Sequence, residues 1–429
     1  MDDAGPGPEQ PEVSDEVAIE ARARALLAEL TPEEKVACLS GDGPALRGSL
    51  DMARRYNEEP IVAGAVPRLG VPGVRFTDGP RGIVMHRSTA FPVAMARGAT
   101  FDPDLEERVG GACGLEARAQ GANLFAGVCI NVLRHPAWGR AQETYGEDVH
   151  HLGEMGAALV RGAQRHVMAC VKHFTANSME NSRFWVDVRI DDATLRDVYL
   201  PHFRRCVEAG AASVMSAYNR VNGQWCGHHT RLLADVLKEE WGFDGFVMSD
   251  FTFGVRSPDA VAAGQDLEMP FRWRFRRLRR HLRQGRIAWA RLDDAVLRLL
   301  RQQLRLAART DGQEVPGRDV VAGSEHRALA REVSVKSIVL LRNEPRPAPS
   351  DGGVAAPVLP LDPDRVHRIA LIGGLADRAN TGDLGSSLVR APEVVTIRAG
   401  LEAAAARRGT AVTYHPGAGP GGAEAAAAA

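Results

Sequence analysis

Charged side chains stand directly after several short apolar runs of this 429-residue chain. Asp78, Lys172, His173 and Asp250 each occupy such a position. Carboxylates, a primary amine and an imidazole are the groups from which acid–base and nucleophilic catalysts are built. If each apolar run is a strand of one parallel sheet, these groups share one edge of that sheet, so the pattern predicts a single catalytic site.

Further polar residues follow the same runs or lie close behind them: Arg134, Arg140, Glu143, Arg183 and Tyr218. Cations and carboxylates grouped at one end of a barrel bind a polyhydroxylated ligand well, because each hydroxyl both donates and accepts hydrogen bonds. Sugars are such ligands. A glycosidase also needs one carboxylate placed against the anomeric carbon and kept ionised by nearby cations, and Asp250 is best placed for that role.

The elements that position these residues are predicted from apolar periodicity. Strands are expected at 73–77, 91–94, 124–132, 168–173, 213–217, 246–249 and 267–269. Helices are expected at 16–30, 103–120, 148–165, 192–209 and 230–240. Roughly 250 residues of this alternation predict an α/β fold, a (β/α)8 TIM-type barrel that allows irregular first units.

A second, smaller domain is expected after the barrel. Helices at 324–334 and 395–408 and strands at 337–341, 368–373 and 411–414 predict an incomplete open α/β sandwich. The expected organisation is a disordered leader (1–20), the barrel (21–310), a linker (311–323), the partial sandwich domain (324–415) and a Gly/Ala-rich tail (416–429).

Composition excludes several classes of protein. A net charge of −1 gives no field that would gather nucleic acid, and the Arg-rich stretch 274–309 is interpreted as a solvated helix face. Six scattered cysteines show no metal-ligand spacing, so we expect reduced thiols and neither metal nor cofactor. The chain has no signal-peptide pattern and no apolar run of about 18 residues, so we expect no membrane span and a cytoplasmic location.

Five motifs make the prediction more specific. They occur in this order: Phe76-Thr-Asp-Gly-Pro-Arg-Gly82, Gly139-Arg-Ala-Gln-Glu-Thr-Tyr-Gly-Glu-Asp148, Val171-Lys-His-Phe-Thr-Ala-Asn177, Val214-Met-Ser-Ala-Tyr-Asn-Arg-Val-Asn-Gly223 and Glu240-Trp-Gly-Phe-Asp-Gly-Phe-Val-Met-Ser-Asp250. The series resembles that of family 3 glycoside hydrolases, and the resemblance extends from about Leu30 to Thr396.

The resemblance implies roles for the matching positions. Asp250 matches the family's nucleophile, which forms a covalent glycosyl-enzyme. The positions that match sugar-binding residues are Asp78, Arg134, Arg140, Lys172, His173 and Tyr218, with Arg183 matching a residue used by one branch. Glu143 is expected to orient Arg140 or Lys172. Phe251 stands where the family commonly has a Trp that lines the sugar subsite.

Two departures limit what the resemblance implies. The Lys-His-Phe motif continues as Thr-Ala-Asn-Ser, which disfavours the β-N-acetylglucosaminidase branch. In the β-glucosidase and β-xylosidase branches the general acid/base is a Glu in the second domain, well beyond the loop that matches 382–387 here. We expect this chain to be truncated before that region and its activity to be impaired.

The leading hypothesis is therefore a retaining exo-acting β-glycosidase for terminal β-linked glucosyl or xylosyl units. Its expected partners are small saccharides or aryl and alkyl β-glycosides, and its oligomeric state is left open. The alternative is a truncated, non-catalytic sugar-binding or decayed homologue. A third hypothesis is an aldolase-like barrel with Lys172 as a Schiff base, but it leaves Asp250 unexplained.

Overall fold

The structure is a computed structural model that describes residues 13–43, 45–345, 356–362, 364–381 and 384–417. The chain divides into two compact units, the first comprising the residues up to Ser337 together with Leu384–Arg390 and the second the remainder. Most of the predicted leader, nearly all of the predicted tail and the first two residues of the 382–387 loop lie outside the described residues.

The first unit is built around a curled sheet of six strands. In sheet order these are β1 (Ile61–Ala63), β2 (Val74–Thr77), β3 (Leu124–Cys129), β4 (Met168–Phe174), β6 (Ser213–Ser216) and β9 (Phe246–Ser249). A separate small sheet contains β5 (Asp187–Val188), β7 (Arg220–Val221) and β8 (Gln224–Trp225). In the six-stranded sheet, β1 pairs antiparallel with β2, and every other neighbouring pair is parallel.

Two shorter segments close this sheet into a ring. Leu267 bridges to Met248 of β9, and Glu268 bridges in parallel to Ser40. The chain at Gly41 then pairs antiparallel with β1. The ring therefore contains eight segments, which confirms the TIM-type barrel and the irregularity expected in its first units.

Helices surround the barrel. They are α1 (Val13–Glu29), α2 (Pro32–Cys38), α3 (Ala45–Arg54), α4 (Ala94–Gly98), α5 (Pro103–Ala119), α6 (Val149–Ala163), α7 (Asp192–Thr194), α8 (Pro201–Glu208), α9 (Leu278–Arg283), α10 (Trp289–Arg309) and α11 (Ser324–Lys336), with π-helical turns at Leu195–Tyr199 and Arg231–Glu240. α5 and α6 pack closely because Gly162 lies against α5, where a Cβ atom would approach the Glu107 carbonyl oxygen to 1.9 Å. None of the helices in the described ranges is both long enough and apolar enough to cross a membrane.

Two of the predicted strands are wrong. The segment 91–94 is an irregular approach to α4, because Pro92 has no N–H to donate and the Phe91 N–H bonds to the Arg81 carbonyl instead of to a strand. The ring positions that this strand was expected to fill are taken by β1 and the Ser40–Gly41 segment. These pieces are too short to show a period of two in the sequence.

The second predicted strand that fails is 337–341. Helix α11 continues to Lys336, and the chain that follows has no strand partner among the described residues. The residues of the predicted linker 311–323 and α11 belong to the first unit, where Leu329 and Val333 are buried. The boundary between the units thus falls after Ser337 rather than at 311–323.

The second unit contains one parallel pair of strands joined by a helix. β10 (Arg368–Ile372) runs parallel to β11 (Ala411–His415), and α12 (Ile397–Ala406) connects them. This is the expected opening of an α/β sheet, and α12 begins at Thr396, whose hydroxyl caps the Ala399 N–H. Both strands alternate between exposed and half-buried residues, so this unit has little core of its own.

Candidate active site

The candidate site lies at the carboxyl ends of the barrel strands. Along β4, Met168 and Cys170 pack in the barrel interior, while Ala169 and Val171 face the surrounding helices. The strand period of two therefore directs Lys172 to the inside. The same parity places Asp78 after Phe76 and Asp250 after Phe246 and Met248, all of them interior residues. Three of the predicted site residues thus share one face for a simple geometric reason.

Asp78 and Lys172 form a buried ion pair. Lys172 Nζ donates to Asp78 Oδ1, and the Tyr56 hydroxyl donates to Asp78 Oδ2 over 2.6 Å. Burial opposes protonation of Lys172, but Asp78 reverses that effect and leaves the pKa of Lys172 raised. A protonated amine has no lone pair with which to form a Schiff base, so the aldolase-like hypothesis is disfavoured.

A tight turn holds Asp78 at its strand end. The Asp78 N–H donates to Asn57 Oδ1 over 2.7 Å, and Gly79 follows with φ +140°. A Cβ atom at Gly79 would lie 1.9 Å from the Gly82 carbonyl oxygen, so only glycine fits this position. The Asp-Gly-Pro sequence is therefore a structural requirement of the turn as well as a source of the carboxylate.

His173 is held in one neutral tautomer. Asn131 Oδ1 accepts from the backbone N–H of His173, and Asn131 Nδ2 donates to the His173 carbonyl, which fixes the orientation of the Asn131 amide. Nδ1 of His173 lies 2.9 Å from the same Oδ1 and is thus the protonated nitrogen. Nε2 accepts from Arg140 Nη1 over 2.9 Å. Burial, followed by the charges of Arg140 and Lys172, holds the pKa of His173 well below its ordinary value.

Arg140 links this imidazole to Glu143. Its Nη2 donates to Glu143 Oε2 over 2.6 Å and lies 3.4 Å from the Ser386 hydroxyl. Burial alone would raise the pKa of Glu143, but the Arg140 guanidinium outweighs it and holds that pKa below its usual range. Glu143 is therefore an ionised anchor for Arg140, as expected, and it is unsuited to be a proton donor at neutral pH.

Asp250 accepts a hydrogen bond at only one of its carboxylate oxygens within the described structure. Oδ1 accepts the Phe251 N–H over 2.7 Å, whereas Oδ2 is buried without a hydrogen-bond partner among the described residues and lies 3.7 Å from His173 Nε2. Burial raises the pKa of Asp250, while Arg140 and Arg183 oppose the rise. An oxygen with free lone pairs, desolvated but flanked by cations, is arranged to attack an electrophile.

Aromatic side chains form one wall beside Asp250. The Tyr218 hydroxyl donates to the Phe251 carbonyl over 2.8 Å, and the Phe251 ring packs 4.9 Å from that of Phe76. Arg183 pairs with Glu180 and lies over the rings of Tyr218 and Phe184 at 4.9 Å and 4.7 Å. Burial raises the pKa of Tyr218 well above its ordinary value, so its hydroxyl stays neutral.

Arg134 is the one predicted site residue that the structure leaves outside the cluster. Its side chain is exposed, and Nη1 donates to the Tyr199 hydroxyl over 2.8 Å. β3 ends at Cys129, so Arg134 lies in the loop beyond it, where strand parity no longer directs side chains inward. The expectation that Arg134 binds the sugar stays a prediction, because its contact with Tyr199 does not test it.

We expect Asn131→Asp to raise the pKa of His173 toward its ordinary range, because a carboxylate at Nδ1 stabilises the imidazolium. The protonated ring can no longer accept from Arg140. With the ordinary histidine pKa of about 6.5, roughly a quarter of the rings stay neutral at pH 6 and nearly all at pH 8, so activity at pH 6 relative to pH 8 should fall about fourfold. The ¹⁵N shifts of His173 and a pH–rate profile with an activated aryl glucoside measure both effects.

Asn222→Asp is a matched control for this substitution. Asn222 spans the N–H and the carbonyl of Ile190 in the way that Asn131 spans those of His173, but it has no imidazole beside it. Any loss of activity or stability that comes only from leaving the backbone carbonyl without its amide donor should appear in both variants. An unaltered His173 titration in Asn131→Asp would contradict the assigned tautomer.

A comparison with known families decides the membership of this chain. The profile described as the glycosyl hydrolase family 3 N-terminal domain matches residues 50–302, which include the barrel strands and the cluster around Asp250. The chain belongs to glycosyl hydrolase family 3. The matched residues also contain every residue predicted for the site.

Relatives with curated names point to one group within the family. A β-glucosidase of Rhizobium radiobacter is 37% identical over 351 residues, covering 79% of this chain and 41% of that protein. Thermostable β-glucosidase B of Acetivibrio thermocellus is 33% identical over 379 residues, covering 84% of this chain and 46% of that protein. The chain thus spans less than half the length of these family 3 relatives.

Solved structures of family 3 members are similar as well. DesR, a β-glucosidase of Streptomyces venezuelae in complex with D-glucose, matches with a TM-score of 0.81 and 31% identity over 92% of this chain and 50% of that one. β-Glucosidase 3B of Thermotoga neapolitana with α-D-glucose matches with a TM-score of 0.79 and 32% identity over 91% and 55%. These likenesses support a barrel followed by an α/β unit.

The family resemblance did not lead us to two further residues that meet the cluster. Tyr56, which binds Asp78, follows α3 in a segment without any apolar run or motif. Ser386 lies in the loop 382–387, for which the sequence predicts no role in the site, and its hydroxyl is within reach of Arg140. In the part of the chain that the structure describes, no group of three His, Cys, Asp or Glu side chains could hold a metal ion.

Proposed function

We propose that this chain carries the catalytic barrel of a retaining exo-acting β-glycosidase that hydrolyses terminal β-D-glucosyl, or xylosyl, bonds. The observation that supports it best is Asp250, whose Oδ2 has no hydrogen-bond partner within the described ranges, while Arg140, His173 and Arg183 lie around it. The names of the relatives favour glucosides. A location in the cytoplasm remains part of the same proposal.

In this proposal Asp250 Oδ2 attacks the anomeric carbon. The bond from that carbon to the aglycone oxygen breaks, and the aglycone leaves with its bonding electrons, taking up a proton when it is a poor leaving group. Water then attacks the same carbon from the opposite face, gives up a proton and releases the Asp250 carboxylate. Two inversions retain the β configuration.

The remaining residues bind the sugar. Asp78 accepts from sugar hydroxyls, while Lys172 and Arg140 donate to them, since charged partners make the stronger hydrogen bonds. His173 already uses both ring nitrogens, so its protein partners must give way if the ring is to contact sugar directly. Tyr218 and Phe251 limit the space beside the anomeric carbon.

The test is covalent trapping. The protein is incubated with 2,4-dinitrophenyl 2-deoxy-2-fluoro-β-D-glucoside, whose activated leaving group needs little help from a proton donor, and its intact mass is measured. We expect one fluoroglucosyl group, mapped by peptide sequencing to Asp250. The corresponding xyloside distinguishes the two sugars, and the α-anomer and Asp250→Asn should both remain unlabelled. An unlabelled but cooperatively folded protein would favour the non-catalytic alternative.

A further inference from the structure

A second group of side chains continues outward from Asp250. We call it the outer shelf and define it by six residues on loops that follow β4, β9 and the Leu267–Glu268 segment: Phe184, Trp185, Phe253, Arg256, Trp273 and Arg274. Because these loops leave the carboxyl ends of their strands, the shelf belongs to the mouth of the barrel. It is absent from the set of residues assigned to the sugar.

Ring contacts connect the shelf to Tyr218, whose hydroxyl donates to the carbonyl of Phe251, the residue after Asp250. The Phe184 ring lies 4.7 Å from Tyr218 and 5.4 Å from Phe253, and Phe253 lies 6.4 Å from Trp273. Exposure rises from 6% at Tyr218 to 40% at Phe253, Trp273 is half-buried, and Trp185 beside Phe184 is 70% exposed. Exposed aromatic faces beside a catalytic group are a platform for a flat ligand.

The shelf is also cationic. Arg256 lies over Trp185 at 5.6 Å and over Trp225 at 4.2 Å, and Arg274 lies over Trp273 at 5.1 Å. Within the described ranges, neither guanidinium has a carboxylate at ion-pair distance. Burial and the charges of Arg274 and Arg220 lower the pKa of Arg256, which indicates that these arginines crowd one another.

Glu268, the acidic residue nearest to Arg274 along the chain, forms no ion pair with it in the described structure, although the two charges interact. Glu268 accepts from the backbone N–H groups of Trp273, Arg274 and Phe275 over 2.6–3.1 Å, so its carboxylate shapes the loop. Two guanidinium Nε atoms of the shelf, those of Arg256 and Arg274, are buried without a hydrogen-bond partner in the described structure. Arginines that lack anionic partners and are held rigidly on aromatic faces form a ready receptor for an anion.

We propose that the outer shelf is an aglycone site for a planar anion, so that the preferred substrates are β-glucosides of carboxylated phenols. The phenyl ring stacks on Phe253 and Trp273, and the carboxylate pairs with Arg256 and Arg274. This inference rests on the proposed glycosidase function, because it identifies the leaving group of that reaction. A merely structural set of cation–π contacts would show no preference for the carboxylate.

The first test compares 4-carboxy-2-nitrophenyl and 4-carbamoyl-2-nitrophenyl β-D-glucosides, which differ in one charge and both release a coloured phenolate. In Arg256→Gln, and likewise in Arg274→Gln, we expect the ratio of the two kcat/KM values to fall about tenfold, the effect of one charge-assisted hydrogen bond at a partly exposed site. Hydrolysis of the amide should change by less than about threefold. Because salt screens the attraction between the arginines and the carboxylate, added salt should lower the ratio of carboxylate to amide kcat/KM in the parent protein.

The matched control is Arg204→Gln on α8, where an exposed arginine pairs with Glu208 far along the chain from the shelf. It should keep the parent's ratio. Equal ratios in the parent, Arg256→Gln and Arg204→Gln would overturn the proposal while leaving the glycosidase function intact.

A second measurement needs no turnover. Tryptophan fluorescence is titrated with free 4-hydroxy-3-nitrobenzoate and with its amide, since Trp185 and Trp273 belong to the shelf. We expect the parent to bind the carboxylate about tenfold more tightly and Arg256→Gln to lose that preference. Equal affinities overturn the proposal. Trapping at Asp250 tests the glycosidase function separately, so the two failures are distinguishable.

Discussion

Asp250→Asn is expected to lower kcat/KM for 2,4-dinitrophenyl β-D-glucoside by roughly 10⁴-fold or more, the scale of loss seen when a catalytic nucleophile is removed. An amide oxygen is a poor nucleophile, and two neighbouring carboxylates are already engaged: Asp78 binds Lys172 and Tyr56, and Glu143 binds Arg140. Initial rates of dinitrophenolate release measure the loss.

The same substitution should leave the fold as stable as before or make it more stable. Burial raises the folded-state pKa of Asp250, so its ionisation at neutral pH works against folding. The protonated carboxyl carries no such penalty. Its contribution to stability is therefore fully present below the unfolded pKa of about 3.9 and is lost as pH rises through the raised folded pKa. We therefore expect Asp250→Asn to gain about 1–3 kcal/mol over the parent at pH 7 and almost nothing at pH 4.

Urea unfolding of both proteins from pH 4 to pH 8 measures this difference. Asp235→Asn, the same change at an exposed position on the Arg231–Glu240 π-helix, is the control and should alter neither rate nor stability appreciably. A variant with lost activity and a gain in stability is the signature of a strained functional group. A loss of several kcal/mol at neutral pH would instead mark Asp250 as a structural residue.

Strand parity explains why much of this site could be predicted from sequence. In β2, β4 and β9 alternate apolar residues fill the barrel, so the next residue of the same parity emerges at its mouth. Asp78, Lys172 and Asp250 are those residues. The rule depends only on local periodicity, and it applies wherever a strand is long enough to reveal that period.

His173 has the opposite parity, and it reaches the site for a reason that the sequence pattern does not contain. The pairing of β4 with β6 changes register between Lys172 and Phe174. Asn131, from the loop after β3, then clamps the backbone and the ring of His173 together. The position of His173 after an apolar run and the motif resemblance both pointed to the site, but neither contains this register change, which follows from contacts between distant segments.

Strand parity gives no direction for side chains where the chain leaves regular structure. Arg134 and Tyr56 both lie in irregular segments, and the first binds Tyr199 while the second binds Asp78. Their directions depend on Tyr199 and Asp78, which are far along the chain. The strand at Ile61–Ala63 was missed for a related reason, since its antiparallel pairing with β2 is set by closure of the ring and not by its own three residues.

Removing either partner of the Lys172–Asp78 pair is expected to cost about 3–5 kcal/mol of folding free energy, because the remaining charge is buried without its counterion. Both side chains are almost fully buried, so little solvent can screen the charge that remains when its partner is removed. Lys172→Met leaves an anion that retains only the Tyr56 hydroxyl, and Asp78→Asn leaves an ammonium group facing an amide. Chemical denaturation of each single variant measures the cost.

The double variant Asp78→Asn/Lys172→Met separates structure from function. With both charges gone, the desolvation penalty disappears, and we expect much of the lost stability to return. Activity should not return, because each residue is also proposed to hold sugar hydroxyls; two lost charge-assisted hydrogen bonds correspond to roughly 10²–10⁴-fold in kcat/KM. Recovery of both properties would show that the pair only supports the fold.

Lys238 supplies the control for a buried lysine that has no part in sugar binding. It pairs with Asp266 beside the beginning of β9, at the opposite end of that strand from Asp250. Burial lowers the pKa of Lys238 to about 7 despite Asp266, and its Nζ donates to both carboxylate oxygens of Asp266 over 2.8 Å. Lys238→Met should therefore alter stability alone, whereas Lys172→Met should alter stability and kcat/KM together, and only the latter combination identifies a residue that binds substrate.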